Sequence, residues 1–124
     1  MSEDAPLILV VDDVDDNRFT LVRRLNRTGY ANVEIATNGR EAIALMESKA
    51  VDLVLLDIMM PEMDGYQTLE HIKRDMRLRH TPVIMISAID EIESAVRCIE
   101  LGAEDYLPKP FNATLLRARI GASL

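Results

Sequence analysis

Asp52-Leu53-Val54-Leu55-Leu56-Asp57 sets four aliphatic residues between two acids and stops on a carboxylate. A run this short and this continuously apolar suits a strand covered on both faces. Two more runs share the pattern. Leu7-Ile8-Leu9-Val10-Val11 stops at Asp12-Asp13, and Val83-Ile84-Met85-Ile86 stops at Ser87. A weaker segment, Tyr106-Leu107-Pro108, stops at Lys109. The mixed run at 33–36 and the polar-started run at 104–107 are expected near the edges of a sheet.

Between these runs the spacing is helical. Leu21 and Leu25 lie four apart with Val22 beside them, and Gly29 supplies a left-handed stop. Ala42, Leu45, Met46 and Lys49 follow Gly39. Leu69, Ile72 and Met76 follow the turn Met63-Asp64-Gly65. Ile92, Ala95, Val96 and Ile99 form an i, i+3, i+4, i+7 stripe, with a capping box expected at Asp90 and Glu93 and a stop at Gly102. Asn112 is placed to cap a last helix carrying Leu116 and Ile120. Five β-α units in alternation predict an α/β fold with a parallel sheet and right-handed crossovers.

In such a sheet every strand ends on one edge, and ligands bind there. Asp12, Asp13, Asp57, Ser87 and Lys109 are then neighbours. Clustered carboxylates repel and raise one another's pKa, so a cation is needed to keep them ionised. Mg2+ favours oxygen ligands, with one or two carboxylates completed by water and phosphate oxygens. A carboxylate also attacks phosphorus to give an acyl phosphate, while fixed cations stabilise the charge on the transferred group.

Composition narrows the class. The 124 residues carry a net charge of −7, with 48% hydrophobic and 28% charged residues, which reads as one globular domain. Direct nucleic-acid binding by this acidic domain is not expected, because a phosphate backbone needs a basic surface. A single cysteine, Cys98, excludes an internal disulfide and fits a reducing, cytoplasmic setting. The acidic start Met1-Ser2-Glu3-Asp4 is unlike a secretory signal, and no apolar run reaches membrane-spanning length, so no membrane contact is expected.

Val10-Val11-Asp12-Asp13, the stretch from Leu56 to Gly65, Ile86-Ser87-Ala88 and Lys109-Pro110-Phe111 together resemble, in order and spacing, the response-regulator receiver domains of two-component signalling. The resemblance covers essentially the whole chain. It implies a doubly wound, five-stranded parallel sheet with five helices in the flavodoxin-like order 2-1-3-4-5. It also implies that residues 1–124 are a receiver domain, here expected to be the N-terminal part of a longer protein, because the last helix runs to Leu124 without a stop signal.

The resemblance assigns roles by position. Asp57 matches the phosphoacceptor. Asp13 matches the direct Mg2+ ligand and Asp12 a second carboxylate at the ion, with Met59 supplying a backbone carbonyl; Mn2+ is able to substitute. Ser87 matches the switch hydroxyl, Lys109 the phosphate-binding lysine and Tyr106 the aromatic switch residue, and the Lys109-Pro110 bond is expected to be cis. The implied partners are a histidine kinase or a histidine phosphotransfer protein, an output domain fused after Leu124 or a separate effector, and a second copy in a homodimer. The fourth helix, fifth strand and fifth helix form the implied output face. The Leu115-to-Arg119 style of the last helix hints weakly at cyclase or phosphatase outputs. Apolar Met59 and Ile89 flank the acceptor and predict slow self-hydrolysis.

Other readings compete. A Mg2+-dependent phosphohydrolase would use Asp57 as nucleophile, but the acid/base position two residues on is Met59. A flavin binder would need a Gly/Ser/Thr-rich loop after the first strand, where Asp12-Asp13-Val14-Asp15-Asp16 stands instead. Taken singly, Asp12 and Asp13 read as a helix cap, Ser87 as a turn serine and Tyr106 as a half-buried aromatic. His71, His80, Arg23, Arg24, Arg117 and Arg119 read as solvated, and Cys98 and the methionines as packing.

Overall fold

The computed structural model describes residues 5–88, 92–110 and 112–124. Five strands alternate with five helices: β1 Ile8–Val11, α1 Asp15–Arg27, β2 Val33–Ala36, α2 Gly39–Ser48, β3 Leu53–Asp57, α3 Gly65–Arg74, β4 Val83–Ser87, α4 Ile92–Glu100, β5 Asp105–Pro108 and α5 Ala113–Ser123. All pair in parallel, in the order β2-β1-β3-β4-β5. The edge positions expected of the two weaker runs are the positions β2 and β5 occupy.

The two faces of the sheet explain the uninterrupted apolar runs. Successive strand residues point to opposite faces, so Leu9, Val11, Val54, Leu56 and Met85 enter one core with Ala42, Met46, Leu69, Ile72 and Cys98 from α2, α3 and α4. Ile8, Val10, Leu53, Leu55, Ile84 and Ile86 enter the other with Leu21 and Leu25 from α1 and Leu116 and Ile120 from α5. A strand sandwiched in this way has no polar face, which is why period-two alternation is missing from the sequence.

Helix ends follow local chemistry. Gly29 and Gly102 adopt φ of 99° and 110° just past α1 and α4, the region that favours glycine. Asn38 caps α2 through the Glu41 amide, and Asn112 caps α5 through that of Leu115. Asp64 and Gln67 form a reciprocal capping box on α3, a D-x-x-Q signal that the sequence reading passes over. Asp90, expected to form a box with Glu93, lies outside the described residues, as do Ile89 and Phe111.

Two expectations need correction. Helix α3 ends at Arg74, and Met76 is exposed beyond it; the Asp75 carboxylate accepts from the Arg77 amide in a following turn and ends the helix before Met76. The stripe on α4 is a genuine helical stripe but not the buried one. Ile92 is 79% exposed and Val96 and Ile99 are about half exposed, while Ser94 and Cys98 face inward. The methionines divide: Met46, Met60 and Met85 fill the core, and Met59 and Met76 face solvent.

Candidate functional site

The pairing register builds the site. Val11 pairs with Leu56, so Asp12 and Asp57 leave adjacent strands side by side at the carboxyl edge. Asp57 pairs with Ile86, and Ser87 pairs with Pro108, which places Ser87 and Lys109 next along the same edge. The Lys109 amide donates to the Ser87 carbonyl at 2.7 Å, and the Lys109-Pro110 bond is cis. The crevice where the order reverses around β1 and β3 is where an open α/β sheet binds its ligand.

Asp12, Asp13 and Asp57 each offer an oxygen within 4.8 Å of the others. Asp12 and Asp57 are buried and Asp13 is exposed. Lys109 Nζ donates to Asp12 Oδ2 at 2.9 Å and to Asp57 Oδ1 at 3.3 Å. One ammonium therefore faces three carboxylates, which leaves the pocket net negative. Burial, reinforced by the neighbouring Asp12 charge and only partly offset by Lys109, pushes the Asp57 carboxyl up to about 6. Burial pulls the Lys109 ammonium down, but its bond to Asp12 and the charges of Asp57 and Asp12 outweigh that and hold it above its ordinary value. An oxygen-only donor set, a deficit of positive charge and one solvent-facing carboxylate fit Mg2+, which keeps part of its water shell.

Around this centre, Ser87 is fully buried and Ala88 follows it. Met59 stands two residues past Asp57 with its side chain 63% exposed. A Cβ on Gly65 would lie 2.3 Å from the Asp57 carbonyl oxygen, so only glycine lets α3 start against the end of β3. The Gly65 amide donates to the Ile58 carbonyl at 2.8 Å and ties the two together. A cleft of about 420 Å³ opens beside Asp57, with Asn17, Thr20, Arg24 and Lys109 among its lining.

Asp12 also accepts from the Val14 amide at 2.9 Å, so the simple capping role and the site role coexist in one carboxylate. The histidines and the arginines of α1 and α5 named above are exposed, and Arg119 pairs with Asp105. Three residues escape the sequence reading. Arg18 is buried, and its guanidinium donates to the Asp12 carbonyl at 2.6 Å and pairs with Asp15, which fixes the loop carrying Asp12 and Asp13. Tyr66 on α3 shares a hydrogen bond with Ser94 on α4 at 2.5 Å. Tyr106 is half-buried, and burial pushes its phenol above the ordinary value.

Comparison with known proteins agrees with this geometry. Residues 8–121 match the family model of the response regulator receiver domain. The transcriptional regulatory protein CpxR of Klebsiella pneumoniae is 44% identical over 117 residues, covering 94% of this chain and 48% of its own. The response regulator PleD of Caulobacter vibrioides is 39% identical over 113 residues, covering 91% of this chain and 25% of its own. The signal receiver domain of a signal transduction histidine kinase from Syntrophus aciditrophicus superposes with a TM-score of 0.88 at 35% identity, covering 97% of this chain and 90% of that one. The chain belongs to the response regulator receiver family and is a signalling module of two-component systems. It spans about half the length of the first curated relatives it matches. Among the described residues no helix is long and apolar enough to cross a membrane.

Proposed function

We propose that this chain is a phosphorylation-dependent switch whose acceptor is Asp57. A histidine kinase or a histidine phosphotransfer protein presents a phosphohistidine. An Asp57 oxygen attacks the phosphorus in line, the phosphorus–nitrogen bond breaks, and its electron pair returns to the imidazole, which takes up a proton. Asp12, Asp13, Asp57 and the Met59 backbone carbonyl are the residues that would hold Mg2+, with Mn2+ as a substitute. When bound, the ion offsets the carboxylate charge and that of the transferred oxygens. Lys109, already against Asp57, donates to a phosphoryl oxygen. Ser87 donates to another and moves toward it, and Tyr106 follows.

The observation that carries this reading is a buried Asp57 between two further carboxylates and a lysine that touches it. The consequence is read at α4, β5 and α5. Exposed Ile92, Val96 and Ile99 give that face an apolar stripe suited to a protein partner, whether an output domain, a separate effector or a second copy. Residues 1–124 are the receiver unit of a longer cytoplasmic protein in this account, and with a charge of −7 neither nucleic acid nor membrane is their direct partner.

A phosphohydrolase with an aspartyl nucleophile is disfavoured, because the exposed Met59 thioether neither gives nor takes a proton. Phosphate release from phosphoramidate separates the two. A switch takes up at most one phosphoryl group per chain and releases it slowly, whereas sustained multiple turnover that Asp57→Asn abolishes would establish the hydrolase instead.

A further inference from the structure

Strand β1 ends at Val11 and α1 starts at Asp15, so Asp12, Asp13 and Val14 form a three-residue link. Every polar atom of Asp12 is engaged. Its amide donates to the Ala36 carbonyl at 3.2 Å. Its Oδ1 accepts from the Val14 amide and its Oδ2 from Lys109, both at 2.9 Å. Its carbonyl accepts from the Arg18 guanidinium at 2.6 Å, and the Arg18 amide donates to the Val14 carbonyl at 3.1 Å. Arg18 therefore bonds to the link on both sides of Asp13. The two peptide units that flank Asp13 are each held as well, the first through the Asp12 carbonyl and the second through the Val14 amide. A peptide unit is planar, so holding both leaves φ and ψ of Asp13 little freedom. The guanidinium that holds the first unit is buried, and its other arm pairs with the Asp15 carboxylate.

We propose that Arg18 is a positioning residue for the divalent ion and acts through the main chain on either side of Asp13. The inference rests on the pocket of Asp12, Asp13 and Asp57 taking Mg2+. Of these three carboxylates only Asp13 is exposed. Packing therefore does least to aim it, and the peptide units that carry it do most. A free link would spread the Asp13 carboxylate over several directions, and only the fraction that faces Asp57 would be ready for the ion. Apparent affinity falls by that fraction. A link already held in the ready direction avoids the loss. Lys109 acts on the carboxylates themselves, whereas the Arg18 guanidinium is engaged by a carbonyl and by Asp15. Arg18 touches neither the ion nor the reacting atoms. Linkage adds a second consequence: whatever factor Arg18 contributes to ion affinity, the ion returns to the Arg18 contact.

Mg2+ titration followed by the amide NMR shifts of Asp13 and Asp57 tests it. Removing a group that orients a metal ligand weakens ion affinity by roughly ten- to a hundredfold. Arg18→Met keeps the aliphatic stem and loses the donors, and it is expected to bind Mg2+ at least about tenfold more weakly than wild type. Arg18→Lys keeps one donor for the Asp12 carbonyl and recovers part of the loss. Ile72→Val trims the core on the opposite face of the sheet from α1; it lowers stability and leaves Mg2+ affinity unchanged. A second measurement needs no variant and so holds even if Arg18→Met fails to fold. Exchange of the Arg18 guanidinium protons in wild type reports opening of the contact, and saturating Mg2+ should slow it by about the same tenfold factor. Equal affinity in wild type and Arg18→Met, a lysine variant as weak as the methionine one, an equal loss in Ile72→Val, or guanidinium exchange that ignores Mg2+ each overturns the proposal and leaves the switch standing. A wild type that binds no Mg2+ overturns both.

Discussion

Asp57→Asn should make the metal-free domain more stable. The native carboxyl titrates at about 6 against an ordinary 3.8, mainly because it is buried and then because Asp12 lies beside it. That difference corresponds to about 3 kcal/mol of unfavourable free energy when the group is ionised. Below about 3.8 native and unfolded chains both carry the proton, and no penalty applies. Between about 3.8 and about 6 the native state holds more protons than the unfolded one, so this group's contribution falls as pH rises and is lost above about 6. Asparagine matches the neutral acid in shape and never ionises. Urea unfolding in EDTA near neutral pH, followed by circular dichroism, should give Asp57→Asn a midpoint about 1.5 M higher, from a slope of roughly 2 kcal/mol per M. The wild-type-minus-variant difference should vanish in acid, since the remaining carboxylates cancel in it. Equal midpoints near neutrality, or a wild type that gains on the variant as pH rises from about 4 to about 6, would refute the argument.

Lys109→Ala leaves Asp12 and Asp57 buried without their shared ammonium; it should cost about 1–3 kcal/mol in EDTA by the same urea assay and move Asp57 still higher than about 6, as read by carboxyl NMR. Gly65→Ala drives a Cβ to 2.3 Å from the Asp57 carbonyl oxygen, so it should destabilise by about 3 kcal/mol or more and slow phosphoryl uptake because the end of β3 must shift. Met59→Asn should shorten the lifetime of the phosphorylated form, measured as loss of label in a chase, since a polar side chain beside Asp57 admits and orients water; an unchanged lifetime counts against the apolar shield. Asp13→Asn should weaken the rise in melting temperature produced by Mg2+ without lowering metal-free stability, because Asp13 is exposed and contributes to the ion rather than to packing.

The fold was legible because burial on both sheet faces wrote itself into continuous apolar runs. Asp12, Asp57, Ser87 and Lys109 were legible because each terminates or follows such a run, and strand register then aligns them without further information. The α4 stripe shows the limit. Ile92, Val96 and Ile99 have the spacing of a buried face, yet Ser94 and Cys98 occupy that face. Periodicity reports that a helix has an apolar side; it does not report whether the sheet or solvent lies against it. Tyr66 and Ser94 left no local signal because their meaning comes from a contact 28 residues apart in the chain. Arg18 was hidden for the opposite reason: in an arginine-bearing helix, only the coordinates distinguish the guanidinium that turns back onto the Asp12 carbonyl from those that face solvent.

The account depends above all on Asp57 receiving the phosphoryl group in a pocket that needs a divalent ion. Fragment-resolved mass spectrometry after phosphoramidate treatment reads this directly. The account predicts a single added phosphoryl group on the peptide that carries Asp57, present with Mg2+ and absent with EDTA or in Asp57→Asn. A phosphoryl group on another residue, or equal uptake without the metal, would contradict it.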